Sequence, residues 1–167
     1  MKWGGDMARF RGRLDQLDIK LLNIVQENNL LTANEISDIV GLSPTACQRR
    51  LKRLRKEGAI VADVSLLAPE VAGHMVTFIV LVSLEREQFD LINDFKRQMI
   101  DHPEVTQCYY VTGSADFILV VGAPSMQDYG AFTERAFFGN KNIRSFQTFS
   151  AMQTVKFQTK TLLRAED

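Results

Sequence analysis

At 167 residues the chain is long enough to bury one or two ordinary cores and too short for three domains. A composition of 46% hydrophobic and 24% charged residues, with 4 Pro and 10 Gly, excludes a disordered, collagenous or low-complexity polymer. Formal net charge is zero, 20 Lys and Arg against 20 Asp and Glu, so only the distribution of charge bears on a nucleic-acid partner.

Residues 1–13 carry basic side chains with no following apolar stretch or small-residue cleavage site, and they read as a loose basic arm rather than a signal peptide. The most apolar run, Met75 to Leu84, falls far short of the ~20 residues a membrane-spanning helix needs. Cys47 and Cys108 have no Cys or His at ligand spacing, so neither a zinc site nor a disulfide framework is expected, and a reducing cytoplasm is the expected setting. Charge divides along the chain: residues 1–65 hold 11 basic and 8 acidic side chains, net +3, whereas residues 66–167 hold 9 and 12, net −3.

The first helix signal opens at Asp15, an N-cap with Asp18 in the first turn, and places Leu17, Leu21, Ile24 and Val25 on one face before Asn28-Asn29 ends it. A second helix opens at Thr32, where Thr32 and Glu35 form a T-x-x-E capping box and Leu31 and Ile36 a hydrophobic staple. Ile36, Ile39 and Val40 form its expected buried stripe. Gly41 supplies the left-handed stop, and Ser43-Pro44 pairs a cap with the residue favoured at the first helical position.

The third helix is expected from Pro44 to Glu57, closed by Gly58, with Cys47, Leu51 and Leu54 inward. Six of the eight residues from Arg49 to Lys56 are basic. The outward row is Thr45, Gln48, Arg49 and Lys52, with Arg53 and Lys56 beside it; Ser43 and Arg50 complete the candidate DNA contacts. Two helices joined by a short Gly-bearing turn, the second apolar inside and basic outside, have the form of a helix-turn-helix whose second helix enters the major groove. A basic run is more often a solvated helix face; capping, turn and charge signals together favour DNA here. Ala59 to Val64 is β-prone and is the expected wing.

Past Gly73 the periodicity changes. Strands are expected at Met75–Ser83, Val105–Val111, Asp116–Val121 and Ile143–Phe157, and helices at Gln88–Asp101 and Ser125–Phe138. The order βαββαβ is that of a ferredoxin-like sheet with two helices on one face, giving an α+β chain overall. Val76 to Val82 and Phe117 to Val121 are apolar on both faces, so the sheet's second face needs a cover. A second copy of the domain is the simplest cover; helix three or the C-terminal tail is the alternative.

Several stretches in this order resemble the Lrp/AsnC family of feast/famine transcription regulators, from Leu14 to about Leu163. They are Leu14-Asp15-Gln16-Leu17-Asp18 with Leu21-Leu22, Gly41-Leu42-Ser43-Pro44, Arg50-Leu51-Lys52-Arg53-Leu54, Gly58-Ala59-Ile60, Pro69 and Gly73, His102-Pro103-Glu104-Val105, and Val111-Thr112-Gly113-Ser114-Ala115-Asp116. The resemblance implies a winged helix-turn-helix (14–64), a linker (65–73), a RAM domain for effector binding and oligomerisation (74–157) and a tail (158–167). It also implies dimers joined through their sheets and often assembled into octamers; the two-fold symmetry of such a dimer points to pseudo-palindromic double-stranded DNA, and the short apolar runs to no membrane partner. Ala62-Asp63 departs from the Gly-Tyr common in the family after helix three.

The same resemblance implies an amino-acid effector held between C-terminal domains around Gly113 and Asp116, with Tyr110, Met126, Thr148, Phe149 and Ser150 as further candidates. Chemically, a Gly-bearing hairpin offers backbone N–H groups to a carboxylate and an Asp holds an ammonium group. Read without the family, Gly113 and Asp116 are first of all turn formers. No nucleotide-binding glycine loop and no H-E-x-x-H is present, and only His74 and His102 offer imidazoles, so an enzyme is not expected and neither a metal nor a cofactor is called for. The competing reading is an ACT-type amino-acid sensor acting through protein contacts instead of DNA.

Overall fold

The computed structural model describes residues 10, 12–68, 71–73 and 75–163, so most of the expected basic arm lies outside the described residues, as do Pro69 and His74. The described chain forms two compact units: residues up to Ser65 together with those from Lys156 make one, and Leu66–Val155 the other.

The first unit is built on three helices, α1 (Gln16–Glu27), α2 (Ala33–Val40) and α3 (Pro44–Lys56). Each begins on a side-chain cap. The Asp15 carboxylate accepts from the Asp18 N–H at 2.8 Å while Asp18 accepts from the Asp15 N–H, a capping box with Asp in the third place. Thr32 and Glu35 do the same for α2, and Ser43 caps α3 ahead of Pro44. Gly41, at φ 74°, ends α2 in the left-handed conformation that a Cβ would penalise. A Schellman closure ends α3: with Gly58 at φ 80°, the Ala59 N–H donates to Leu54 and the Gly58 N–H to Arg55.

Leu21, Leu22, Ile36, Cys47, Leu51 and Leu54 form the buried core of this unit, with Leu14, Val25, Leu31, Val40, Ile60 and Leu163 half-buried around it. Ile39, expected in the stripe, is 62% exposed, because an eight-residue helix turns one face to the core and Ile36 occupies its centre. Residues 59–64 form no strand and so no wing of the expected kind. Asp63 instead accepts from the Arg55 guanidinium at 2.9 Å and from Asn29 at 2.9 Å, which folds the exit of α3 back on its own unit.

The second unit runs β1 (Val76–Leu84), α4 (Phe89–Asp101), β2 (Val105–Tyr110), β3 (Phe117–Ala123), α5 (Met126–Thr133) with a π-helical continuation over Glu134–Phe138, and β4 (Ile143–Ser150). The sheet is antiparallel in the order β2-β3-β1-β4, the expected βαββαβ arrangement. β4 stops at Ser150 and not at Phe157; past its end a single bond, from the Ala151 N–H to the Thr77 carbonyl at 2.8 Å, continues the pairing with β1.

One face of the sheet is sealed. Phe78, Val80, Val82, Phe117, Leu119 and Val121 pack against Ile92, Phe95, Met99, Tyr129, Phe132 and Phe137 of the helical layer. The other face is apolar and open to solvent in the single chain. Ile79 lies opposite Val120 and Phe149, and Leu81 opposite Ile118. Ile79 is 40%, Phe149 47% and Tyr109 52% exposed. Residues 160–163 of the C-terminal tail are bound to α1.

Candidate functional site: a DNA-reading helix and a sensing hairpin

The outward face of α3 carries Thr45, Gln48, Arg49, Lys52, Arg55 and Lys56, all exposed. Arg50 and Arg53 do not belong to it. Asp18, 1% exposed, accepts from Arg50 at 2.8 Å and from Arg53, and Arg50 also reaches Asp15 at 2.7 Å. A buried carboxylate is stable only when its charge is answered, and here two guanidiniums answer it. The two arginines assigned to DNA from the sequence therefore latch α3 to the start of α1. The Asp18 N–H, and after it Arg50, holds the Asp15 carboxyl below its usual range.

Arg55 is committed as well, to Asp63 and Asn29, and its guanidinium lowers the pKa of Asp63. Among the described residues no ion pair engages Arg49, Lys52 or Lys56, so the free positive charge of α3 lies on one outward strip with Gln48 and Thr45. Ser43 is exposed but its hydroxyl is used on the Ala46 N–H. Sequence reasoning missed the Asp18 latch. Its signal was present in two acids three residues apart at the start of α1, the N-cap Asp15 and Asp18, and two bases at i, i+3 in α3.

The second candidate site starts at the β2–β3 hairpin. Gly113 has φ 141°, open only to glycine without strain. The Val111 N–H donates to the Asp116 carbonyl and the Asp116 N–H to the Val82 carbonyl, both at 2.9 Å. One oxygen of the Asp116 carboxylate accepts from the Leu84 N–H at 2.6 Å, so this side chain ties the hairpin to the end of β1; the other has no hydrogen bond among the described residues. Tyr110 lies beside Phe117, half-exposed, with the Lys96 ammonium 4.6 Å from its ring centre.

The remaining candidates lie elsewhere on the sheet. Thr148 sits opposite Val80 and bonds the Tyr129 hydroxyl at 2.5 Å; Ser150 lies opposite Phe78, and Phe149 is on the open face opposite Ile79. Met126, 61% exposed, begins α5 just past the other end of β3. Leu84 and Phe78 are six residues apart on β1, about 20 Å at the rise of a strand. Within one chain Tyr110, Gly113 and Asp116 form one group, and Ser150 and Met126 stand near the opposite end. The described residues include no group of three or more His, Cys, Asp or Glu able to hold a metal ion.

Both halves match known family models: residues 14–61 the winged helix-turn-helix DNA-binding model, and residues 77–161 the Lrp/AsnC ligand-binding domain. The chain belongs to the Lrp/AsnC family. It is 54% identical over 143 residues to an uncharacterized HTH-type transcriptional regulator of Sinorhizobium fredii, covering 86% of this chain and 85% of that one. It is 33% identical to the leucine-responsive regulatory protein of Haemophilus influenzae, covering 86% of each. Among solved structures, an AsnC family transcriptional regulator from Agrobacterium tumefaciens superposes with a TM-score of 0.83 at 31% identity, covering 89% of this chain and 96% of that one. A Neisseria meningitidis transcriptional regulator in complex with L-Met does so with a TM-score of 0.81 at 32% identity, covering 88% and 95%. As a member of the Lrp/AsnC family the chain is a DNA-binding transcription regulator that responds to a small ligand. No helix among the described residues is long and apolar enough to cross a membrane.

Proposed function

We propose that Thr45, Gln48, Arg49 and Lys52 read base edges of a pseudo-palindromic operator while Lys56 binds phosphate. The observation that carries this is the division of labour on α3: Asp18 engages Arg50 and Arg53 and fixes the helix, leaving one strip of free hydrogen-bonding and basic side chains. Arg and Gln form bidentate pairs with guanine and adenine, whereas a lone Lys at the rim acts as a point charge. Two such helices are presented together when the open sheet faces of two chains close on each other around Ile79, Leu81, Ile118, Val120 and Phe149, which removes an apolar surface a monomer does not keep exposed.

The effector in this reading is an amino acid, supported by the L-Met complex of the Neisseria relative and by the ligand-binding domain match. The hairpin at Gly113 offers backbone N–H groups to its carboxylate, and the unengaged oxygen of Asp116 takes its ammonium. Because Ser150 and Met126 stand about 20 Å along the sheet from Asp116, the site is shared between copies, each supplying one end of its sheet.

Titration of labelled duplexes by fluorescence anisotropy over a salt series tests the DNA assignment, with one operator and one scrambled sequence of equal length. Operator preference with a steep salt slope is expected. A thermal-shift screen of the twenty amino acids tests the effector, since a ligand at 100 times its Kd adds about 2.7 kcal/mol of stability.

A further inference from the structure

The helical unit holds a hollow that none of its caps explains. Between the end of α1, the start of α2 and the middle and end of α3 lies an open-sided cavity of about 430 Å³, a size that takes small molecules. Its floor is aliphatic: Ile36 and Leu51 are buried, with Val25 and Leu31 half-buried beside them. Ala33, in the first turn of α2, is the smallest side chain of the lining.

The rim is polar and its charge is one-sided. Gln48 and Lys52 stand one helical turn apart on α3, both exposed. Arg55 lines the rim too, but Asp63 already answers its charge, and Asn29 is bonded to the same pair. No acidic residue lines the hollow, and among the described residues no ion pair engages Lys52. The charge these residues leave for a ligand is therefore the Lys52 ammonium, at the edge of an aliphatic floor.

Such a pair of surfaces selects a chemical class. An aliphatic chain laid over Val25, Leu31, Ile36 and Leu51 leaves water, while a carboxylate at its end meets Lys52 and the amide donor of Gln48. An amino acid of the same skeleton fits worse: its ammonium would stand near Lys52 with no carboxylate in the lining to hold it, and an unanswered charge against an apolar floor is costly. The hollow thus differs in kind from the hairpin at Asp116, where the proposed effector's ammonium meets a carboxylate.

We infer that this hollow binds an aliphatic monocarboxylate that lacks an amino group, and that the bound acid displaces DNA by covering Gln48 and Lys52. The binding rests on the hollow alone. The displacement rests on the reading of α3 as the DNA-contacting helix.

The test uses the full-length protein with methyl-labelled Ile, Leu and Val, titrated with octanoate, 2-aminooctanoate and octylammonium. Octanoate should shift the methyl resonances of Val25, Leu31, Ile36 and Leu51 in one saturable step, and bind at least about tenfold more tightly than either amine. Saturating octanoate should lower operator affinity more than about tenfold. Ala33→Leu fills the hollow from α2 without altering α3; it should weaken octanoate at least about tenfold and leave operator affinity without octanoate within about twofold of wild type. The ligand series is read in the wild type, so it decides even where that variant fails to fold. Equal binding of octanoate and 2-aminooctanoate, octanoate shifts confined to the sheet unit, or undiminished operator affinity at saturation overturns the inference. A wild type with no preference for any duplex overturns the reading of α3 instead, and the methyl shifts still decide the hollow.

Discussion

The helical unit and the sheet unit solve opposite problems. The helical unit closes on itself: every helix start is capped, the buried Asp18 carboxylate has two guanidinium partners, and Leu163 packs against the core of its three short helices. The sheet unit seals one face and leaves Ile79, Leu81, Ile118, Val120 and Phe149 on the other. A reader of DNA must present a rigid face to an external partner, whereas a sheet left open on one face, in the reading proposed, stays incomplete until another copy arrives.

Breaking the open face should have the largest effect. Ile79→Asp places a charge at the centre of that face without touching the sealed core, and dimer dissociation should strengthen by more than about 100-fold, as a buried unpaired charge demands. Sedimentation at micromolar concentration reads this as a monomer. An unchanged dimer moves the interface elsewhere and cancels the contrast between the units.

The Asp18 latch comes next. Asp18→Asn should lower the stability of the helical unit by about 3 kcal/mol, the low end for removing one member of a buried ion cluster because both guanidiniums keep access to water. Thermal unfolding followed by circular dichroism measures it. Acid acts in the same place: Asp15 has a folded pKa below its ordinary 3.8, so its contribution is fully present above that value and is lost as pH falls through the lower folded one. A stability profile flat from pH 5 to about pH 2 contradicts this.

In the sheet unit, Asp116→Ala leaves the Leu84 N–H without its acceptor, which should cost about 1–3 kcal/mol of stability. The same change should weaken amino-acid binding about ten- to a hundred-fold, by loss of a charge-assisted contact. Isothermal titration with the amino acid found by thermal shift separates the two effects, since Asp116→Asn retains an acceptor for Leu84 and should restore stability but not affinity. Full ligand affinity in both variants reduces Asp116 to a turn residue.

Much of this was readable from the residues where the cause is local. Asp15, Thr32, Gly41 and Ser43-Pro44 punctuate the helices because caps and left-handed stops act within four residues of chain. The βαββαβ order followed from changes of period. What escaped depends on neighbours far along the chain. Spacing on α3 separates its inward stripe from its outward row, but Arg50 and Arg53 lie on the flank, and only the placement of α1 decides that they face Asp18. The wing expected at Ala59–Val64 lacked a partner strand and was drawn instead to Arg55 and Asn29. Gln26 and Thr161, 135 residues apart in sequence, are joined by two hydrogen bonds that no periodicity reveals. The residues proposed to hold the effector scatter over the sheet, and a pocket shared between copies, as proposed, would leave no single-chain pattern.

The most direct test of the central claim, that the free strip of α3 reads sequence while its latched arginines hold the helix in place, is a paired titration of operator and scrambled duplex with the wild type, Arg49→Ala and Lys56→Ala over a salt series. Arg49→Ala should lose about 1–3 kcal/mol on the operator and little on the scrambled duplex, whereas Lys56→Ala should weaken both alike and reduce the salt slope by about one. Equal operator affinity for Arg49→Ala and wild type would contradict the account.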